Sequence, residues 1–570
     1  MVQTKLGEDS KEYQETEKKV IAHELAKAQR EIGVAEFFAK NRHLLGFDNK
    51  RKALLTTIKE AVDNALDACE EAEILPEISV ELIELSNERF KVIVEDNGPG
   101  IVKKQIPNIF ARLLYGSKFH KLAQTRGQQG IGISAAVMYG QLTTGKPAKI
   151  TSKISKNNPA IYMELMLDTK SNKPKINNDS EKDWPEKDTG TRIELDLEGS
   201  YQKGSQSIDQ YIKQTAIVNP HGTFIYTNPK AEQFVFPRVT ELKPAKPVEI
   251  KPHPYGVELG VLHEMAQFTE CRTLQSFLTT EFTRVGPGTA KEICKNSALL
   301  PNTKPKSLTR ELIERLVDGI KKTKIISPPT DCISPIGEEL LERGLKKEIN
   351  AEFYCATTRP PSVYRGNPFI VECALAYGGE QRSDSIATIY RYANKVPLLF
   401  QQSAGVATKA ITETNWRSYG LSQSTGSLPI GPVTIVVHVA SVWVPFTSES
   451  KEAIAHYPEI IKEVKLAVQE CGRKLSSYIH KKKRVGEELK KRGYIERYIP
   501  HVAEALQELL GYKDNDKAQV EEDLKIILEK KRGKLEKVGM DKEDNTEYDE
   551  EFAKMGKEDK EEAEEENGEE

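Results

Sequence analysis

Three polar residues at helical spacing are the first sign of chemistry in this sequence. Glu60, Asn64 and Asp67 lie in the segment TTIKEAVDNALDACE. At 100° per residue they fall within about 60° of one another on a helix. The opposite face carries the apolar residues Ile58, Val62, Ala65 and Cys69. Two carboxylates and an amide on one stripe suit a site for a metal ion and phosphate, although an ordinary amphipathic helix has the same pattern.

A second candidate follows an apolar run. VIV at 92–94 predicts a strand that ends just before Asp96. Gly98 and Gly100 lie directly beyond it and would let other groups approach the backbone closely. An ordinary strand followed by a turn would look the same.

A glycine-rich segment, RGQQGIGISAAVMYG, carries Gly127, Gly130 and Gly132 ahead of a predicted helix. Backbone N–H groups in such a loop can bind phosphate at the start of a helix. The segment lacks the Lys-Ser/Thr of a Walker loop and the preceding strand of a Rossmann fingerprint, and a tight turn also explains its glycines. A fourth motif, DTGT at 188–191, precedes an alternating strand over 192–197.

In this order and spacing, E-x-x-x-N, D-x-G-x-G, G-x-x-G-x-G and G-T resemble the motifs of the GHKL ATPase superfamily. Gyrase-type topoisomerases, the large heat-shock chaperones, MutL and histidine kinases belong to that superfamily. Four motifs agree within roughly 140 residues, which makes the match specific. The resemblance implies that ATP and Mg²⁺ are the cofactors.

The resemblance also implies a role for each matching residue. Glu60 would polarise the water that attacks the γ-phosphate, Asn64 would hold Mg²⁺, and Asp96 would accept the adenine amino proton with Thr191 beside it. The remaining predicted nucleotide ligands are Asp67, Gly98, Gly100, Ser117, Lys118 and the ATP lid, which comprises Arg126, Gly127, Gln128, Gln129, Gly130, Ile131, Gly132 and Ile133.

Length and composition describe the chain that must position these residues. A chain of 570 residues is too long for one core and should hold three or four domains. No apolar run approaches the roughly 18 residues of a membrane span, and no signal peptide is visible, so we expect a cytoplasmic, nucleoid-associated protein. Seven cysteines without C-x-x-C spacing indicate reduced thiols rather than disulfides or a zinc site.

The charge is unevenly distributed. Residues 541–570 carry 16 acidic and 4 basic residues, a net of −12, so the overall −3 leaves about +9 for the rest of the chain. A basic body is consistent with an anionic partner such as DNA. The acidic tail should be disordered, and it either solubilises the protein or competes with DNA.

Turn signals and periodicity predict an α+β multidomain protein. A charged N-terminal arm covers 1–35. Residues 36–235 alternate helical and strand patterns and contain all four motifs, so the GHKL resemblance implies a Bergerat-type α/β sandwich ATPase domain there. A Pro-rich linker then leads into a helical domain over 236–328, whose helices are interrupted by RVGPGT. An α/β domain with a long C-terminal helix follows over 329–512, and a charged tail over 513–570 completes the chain. The basic cluster at 481–484 on the long helix is either a solvated face or a contact with the DNA backbone.

Two further segments resemble the B subunits of type IIB topoisomerase VI. The helical region resembles their inserted helix-two-turns-helix domain. VPFTSESKEAI resembles the loop of their transducer domain that carries a lysine to the γ-phosphate, and Lys451 matches that lysine. A lone lysine after Ser-Glu-Ser would otherwise be a surface charge. The resemblance covers roughly residues 10–510.

This resemblance implies the partners and the reaction. ATP would close two B subunits into a dimer, and the separate A subunit would cut double-stranded DNA within an A₂B₂ heterotetramer. One duplex would then pass through the break, which relaxes and decatenates DNA, and no membrane is involved. A chaperone-like clamp and a MutL-type repair ATPase remain alternatives, because they use the same ATPase motifs.

Overall fold

The computed structural model of the chain describes residues 32–119, 121–127, 130–448, 450–511 and 513–532, together with residues 25, 26 and 29. Most of the predicted N-terminal arm, Gln128 and Gln129 of the lid, and the tail from residue 533 lie outside the described residues. The predicted α+β multidomain architecture is confirmed, since two mixed sheets are separated by a helical segment.

Eight strands form the first sheet, which alternates buried and exposed residues. They are β1 (Glu77–Ser86), β2 (Arg89–Glu95), β3 (Ala148–Lys153), β4 (Ala160–Asp168), β5 (Lys173–Lys182), β6 (Gly190–Glu198), β7 (Thr223–Thr227) and β8 (Gln233–Phe236). Their order is β5-β4-β3-β6-β2-β1-β7-β8, with β1 and β7 parallel and the other neighbours antiparallel. On β1, buried Ile78, Val80 and Leu82 alternate with more exposed residues, because one face of the sheet is covered.

Helices cover that face of the sheet. They are α1 (Val34–Lys40), α2 (Lys50–Glu71), α3 (Ile106–Phe110), α4 (Gly132–Thr144) and α5 (Ile208–Val218). The buried faces of α2 and α4 share one apolar core with the strands, in which Ile58 and Val62 pack with Val92 and Ile150. Burial of this core fixes the orientation of α2, and so of its polar face.

A helical segment follows the first sheet. It contains α6 (Leu259–Phe268), α7 (Leu274–Glu281), α8 (Pro287–Asn296) and α9 (Arg310–Lys322). These helices bury their own core, which includes Leu262, Phe277, Ile293 and Leu316. The predicted Gly/Pro break between helices is confirmed, because α8 begins at Pro287 directly after Gly286.

The second sheet is formed by β9 (Phe353–Thr358), β10 (Ser362–Tyr364), β11 (Asn367–Tyr377), β12 (Thr388–Ala393), β13 (Val396–Pro397) and β16 (Val433–Ser441). The order is β10-β11-β16-β12-β13, and β9 pairs with β11. A separate hairpin joins β14 (Ser422–Gln423) and β15 (Pro429–Ile430). Helices α10 (Glu338–Glu348) and α11 (Val406–Glu413) flank this sheet. The central strands β11 and β16 are buried along almost their whole length, as strands covered on both faces must be.

One helix dominates the end of the described chain. Helix α12 (Pro458–Leu510) runs for 53 residues, ends at left-handed Gly511, and is followed by α13 (Asp514–Arg532). Its first turns are buried in the core of the second sheet through Val464, Val468 and Leu475. The predicted long helix is therefore confirmed. Throughout the described residues, every helix is too short or too polar to cross a lipid bilayer.

The two sheet regions contact each other directly. Ile217 and Val218 at the end of α5 pack with Leu341 and Leu345 of α10. A Cβ on Gly344 would lie 2.1 Å from the carbonyl oxygen of Ile217, so only glycine permits this approach. The domain limits predicted from the sequence stay predictions.

Candidate nucleotide site

Helix α2 carries the first predicted site residues. It begins after Asn49, whose side-chain oxygen accepts a hydrogen bond from the backbone N–H of Lys52 at 2.9 Å. Ile58 and Val62 are buried beneath the helix, whereas Glu60 and Asn64 line a cavity on the other side. The predicted division of α2 into an apolar and a polar face therefore matches the structure.

The cavity has a volume of about 360 Å³, which is within the range of small-molecule sites. Both sheet regions line it, because segments 397–400 and 450–452 face the glycine-rich loop and α2 across it. Most of the predicted site residues line this one space: Glu60, Asn64, Asp67, Asp96, Gly100, Ser117, Lys118, Gly127, Gly130, Ile131, Gly132, Ile133, Thr191 and Lys451. Gly98 and Arg126 do not, and Gln128 and Gln129 lie outside the described residues.

Glu60 is held as a carboxylate by two lysines. Burial raises its pKa, but the charges of Lys59 and Lys451 outweigh burial and hold the pKa of Glu60 below its ordinary value. Lys59 Nζ lies 3.2 Å from Glu60 Oε1 and 3.4 Å from Asp63 Oδ2. An ionised carboxylate facing the cavity can accept a proton from a water molecule within hydrogen-bond reach.

The glycine-rich loop approaches Glu60 closely. A Cβ on Gly132 would lie 1.8 Å from Glu60 Oε2, so this position excludes any side chain while the carboxylate stays in place. Gly130 has φ +58°, and a Cβ there would lie 2.9 Å from the carbonyl oxygen of Tyr115. Helix α4 begins at Gly132, which places the unpaired N–H groups of its first turn at the cavity. Such a helix start favours an anionic ligand such as phosphate.

Asp96 is arranged to accept one more hydrogen bond. Its Oδ1 accepts hydrogen bonds from the backbone N–H groups of Gly98 at 2.8 Å and Thr191 at 3.1 Å. No described residue donates to Oδ2. Burial raises the pKa of Asp96 to about 6, against the effect of those two hydrogen bonds. Ser152 supports the Thr191 hydroxyl at 3.2 Å.

Three predicted ligands form an ion-pair cluster with one another. The Arg126 guanidinium donates to Asp67 Oδ1 at 2.8 Å and to both carboxylate oxygens of Glu70 at 2.7 and 2.9 Å. Lys118 Nζ lies 2.7 Å from Asp67 Oδ2. Burial acts against ionisation of Glu70, but the Arg126 charge outweighs it and holds the pKa of that carboxyl well below its ordinary value. The Arg126 side chain is only 3% exposed, so this cluster anchors the base of the lid to α2. Direct nucleotide contacts by Asp67, Lys118 and Arg126 stay predictions.

Lys451 reaches the cavity from the second sheet region. Its Nζ lies 3.5 Å from the carbonyl oxygen of Arg126. Burial lowers the pKa of Lys451, and the Glu60 carboxylate acts in the opposite direction. Next to it, Glu452 forms an ion pair with Lys52 of α2. A lysine that sequence spacing alone would place on the surface is therefore half-buried opposite the predicted base.

Comparison with known proteins assigns the chain to a family. Residues 49–198 match the model of histidine kinase-, DNA gyrase B- and HSP90-like ATPases, and residues 328–491 match that of the topoisomerase VI B subunit transducer. The type 2 DNA topoisomerase 6 B subunit of Methanococcoides burtonii is 51% identical over 491 residues, which cover 86% of this chain and 79% of the relative. The chain belongs to the family of type 2 DNA topoisomerase 6 B subunits. The Archaeoglobus fulgidus relative is 47% identical over 484 residues, covering 84% of this chain and 80% of its own. That of Pyrococcus horikoshii is 38% identical over 537 residues, covering 86% and 94% respectively.

The predicted resemblance is therefore confirmed, and with it the fold class. The first sheet region contains the GHKL ATPase domain, and the second sheet region contains the transducer of the topoisomerase 6 B family. As a member of this family, the chain is the ATP-hydrolysing subunit of a type 2 DNA topoisomerase. Its ATPase domain implies nucleotide binding.

Several cavity residues were not predicted from the sequence. Lys59 lies directly before Glu60, and its i,i+4 spacing to Asp63 was the signal that could have identified it. Lys52 and Phe400 close another side of the cavity, with Lys52 Nζ 5.4 Å from the Phe400 ring centroid. Nothing in the sequence spacing brings residue 400 to residue 52, because that contact depends on how the transducer packs on the ATPase domain.

Proposed function

We propose that the chain binds ATP in the cavity between the ATPase domain and the transducer, and that hydrolysis there drives DNA strand passage with a separate A subunit. One observation carries the proposal. The ionised Glu60, the accepting edge of Asp96, the start of α4 and Lys451 all face the same 360 Å³ space. Glu60 suits the role of catalytic base. Asp96 suits the adenine, the start of α4 suits the phosphates, and Lys451 suits the γ-phosphate of one bound ATP.

In this proposal each group has its own task. Asp96 Oδ2 accepts the adenine amino proton, and the N–H groups at the start of α4 bind the phosphates. The Asn64 side-chain oxygen, exposed on the cavity face of α2, would hold Mg²⁺. When bound, Mg²⁺ neutralises charge on the phosphate oxygens.

Hydrolysis then needs a base and a cation. Glu60 takes a proton from a water molecule as that water attacks the γ-phosphorus. The bond between the γ-phosphorus and the β–γ bridging oxygen breaks, and ADP leaves. Lys451 stabilises the negative charge on the transferring group, as a point charge held in a water-poor site does well.

Coupling to DNA follows from where Lys451 lies. It belongs to the transducer, so its contact with the γ-phosphate would be lost on hydrolysis and would let the transducer rotate. We expect ATP to dimerise two B subunits, with the N-terminal arm exchanged between them, and two A subunits to complete an A₂B₂ assembly. The far half of α12 exposes Tyr494, Tyr498 and Leu509, which gives the A subunit an apolar surface to bind.

DNA relaxation tests the whole proposal. The chain, mixed with an A subunit of the same family, supercoiled plasmid, ATP and Mg²⁺, should relax the plasmid. A mixture that hydrolyses ATP at a normal rate yet relaxes no plasmid would refute the topoisomerase coupling and favour a clamp that uses the same ATPase.

The Glu60→Gln variant tests the base. It should bind a fluorescent ATP analogue normally and lose at least about 10²-fold in kcat. Glu84→Gln, an exposed residue on β1, is the matched control and should keep wild-type turnover. Wild-type turnover in Glu60→Gln would remove Glu60 from the mechanism.

A further inference from the structure

A strained turn joins strands β12 and β13 of the transducer. Its two residues, Asn394 and Lys395, have φ of +49° and +65°. Two-residue hairpins with both residues left-handed favour Asn-Gly, because a Cβ at the second position is unfavourable there. A lysine in this place is kept only if the surrounding contacts offset its strain, and such strain tends to occur at functional positions.

Neighbouring groups hold this turn from β16. The Lys395 N–H donates to His438 Nε2 at 2.9 Å, and Asn394 exchanges two 2.9 Å hydrogen bonds with the backbone of Ser441. His438 is fixed in turn by Glu372, whose Oε2 lies 2.7 Å from His438 Nδ1. His438 and Glu372 are fully buried. The turn is therefore rigidly part of the transducer.

The turn also reaches into the ATPase domain. The Asn394 side-chain N–H donates to the carbonyl oxygen of Thr125 at 3.0 Å. Thr125 lies two residues before Gly127, the first glycine of the lid. A transducer side chain thus holds the carbonyl group of Thr125, directly before the lid begins at Arg126.

The two neighbours of Thr125 are held by the transducer side as well. Gln124 Oε1 accepts a hydrogen bond from the Ser334 N–H at 2.7 Å, and the Gln124 N–H donates to the Cys332 carbonyl at 2.9 Å. The Arg126 carbonyl faces Lys451 Nζ at 3.5 Å. Three consecutive residues of the ATPase domain are therefore contacted by three separate segments beyond residue 328.

On its other side, the same stretch is fixed to α2. The Arg126 guanidinium pairs with Asp67 and Glu70, and Lys395 Nζ is buried beside this cluster, 3.3 Å from Ser334 Oγ. The segment 124–126 is thus clamped between helix α2 and the transducer. We call residues 124–126 the root of the lid. Any movement of the transducer relative to α2 must strain or break the contacts of these three residues.

We propose that the Asn394 turn, with Gln124, is a positioning device that ties the root of the ATP lid to the transducer. It is a second connection besides Lys451, and it acts whether or not a γ-phosphate is present. Asn394 and Gln124 are positioning residues, because they hold the lid rather than touch the nucleotide. This inference rests on the proposed function, since it assumes that the lid closes over ATP.

The Asn394→Gly variant tests the tie. Glycine keeps the left-handed backbone and removes the side-chain amide, with its hydrogen bonds to Thr125 and to the Ser441 backbone. We expect KM for ATP to rise about fivefold with kcat within about twofold, and amide hydrogen exchange across 121–135 to accelerate with and without nucleotide. Arg365→Gly is the matched control: it replaces another left-handed residue, at φ +46°, in the β10–β11 turn of the same domain, and should change neither quantity.

Gln124→Met provides a second variant that leaves the turn itself intact. It removes the acceptor for Ser334 and should shift KM and lid exchange in the same direction. Unchanged KM and exchange in both folded variants would overturn the proposal. The proposal would also be overturned if kcat and the melting temperature both fell while KM stayed constant, because that pattern indicates a merely structural role. If Asn394→Gly does not fold, Gln124→Met decides the question.

The failure of the proposed function can be told apart from the failure of this inference. A wild-type chain without ATP hydrolysis would refute the function. Exchange across 121–135 in the nucleotide-free protein would still show whether the transducer holds the lid.

Discussion

Replacing Asp96 with asparagine should stabilise the ATPase domain and weaken ATP binding. Burial raises the pKa of Asp96 from 3.8 to about 6, a difference of about 2.2. At 1.36 kcal/mol for each pKa unit, the folded protein bears a penalty of about 3 kcal/mol when this carboxyl is ionised. Asparagine has nearly the same shape, and its oxygen can still accept from Gly98 and Thr191. The Asp96→Asn variant should therefore be more stable by about 3 kcal/mol near pH 7.5.

The dependence on pH has a definite sign. Because the folded pKa lies above the unfolded one, the unfolded state holds fewer protons between about pH 4 and pH 6, and the wild-type free energy of unfolding falls as the pH rises through that window. The advantage of Asp96→Asn should accordingly shrink to about half at pH 5 and vanish below about pH 4.

Binding should change in the opposite direction. An asparagine that keeps both backbone hydrogen bonds presents its N–H₂ group where Oδ2 now lies. Two donors, that amide and the adenine amino group, would then face each other. The loss of a hydrogen bond to a charged acceptor is worth about 1.5–3 kcal/mol, or about 10- to 150-fold in the Kd for ATP.

Both changes can be measured on the full chain. Urea titration followed by hydrogen exchange of α2 and β2 peptides reports the stability of the ATPase domain separately from the transducer, and calorimetry gives the Kd for ATP. An Asp96→Asn variant that is less stable than wild type at pH 7.5, or whose advantage does not change with pH, would refute the reasoning about burial. Unchanged ATP affinity would refute the adenine contact.

Three further substitutions test other parts of the site. Gly132→Ala puts a Cβ 1.8 Å from Glu60 Oε2, so the flexible carboxylate should be displaced and kcat should fall about 10²-fold with a near-normal melting temperature; normal kcat would mean that Glu60 does not act from this position. Lys451→Met should lower kcat by about 10²-fold or more. Because Lys451 helps to lower the pKa of Glu60, the variant should also move the acidic limb of the pH–rate profile to higher pH. An unmoved acidic limb would show that Lys451 does not act on the ionisation of Glu60. Burial opposes ionisation of Glu372, but His438 and the N–H groups of Ile336 and Gly337 outweigh burial and lower the pKa of that carboxyl. Glu372→Gln should therefore destabilise the transducer by about 2–4 kcal/mol at neutral pH, as measured by urea titration. That difference should diminish only as the pH falls below the ordinary range of a glutamate, and its persistence in strong acid would contradict the assignment.

Local patterns were sufficient for the elements that bury one face. The spacing of Ile58 and Val62 against Glu60 and Asn64 predicts α2 and its orientation, because apolar burial and helical periodicity agree there. The long helix α12 follows in the same way from its periodic apolar positions. Short motifs also located the cavity, since residues as far apart as Gly132 and Thr191 line it together.

The pairing of charges could not be predicted in this way. Arg126 and Lys118 belong to a segment that suggests phosphate ligands, yet their side chains pair with Asp67 of α2. The contact from Asn394 to Thr125 joins residues 269 apart in the chain, and only the packing of two domains creates it. Sequence spacing describes the surface that each element offers, whereas the choice among several opposite charges depends on three-dimensional proximity.

The length of α12 would amplify the transducer rotation that we propose. At 1.5 Å per residue its 53 residues span about 80 Å, and only its first turns are held in the transducer core. A rotation of about 10° at that base would sweep the free part beyond Leu475, about 52 Å long, through about 9 Å at its end, which is comparable to the width of the DNA major groove, about 12 Å. A small rotation of the transducer around Lys451 would thus become a movement on the scale of a DNA groove. Bending at Pro500, the proline inside this helix, would then set how much of that stroke reaches its far end.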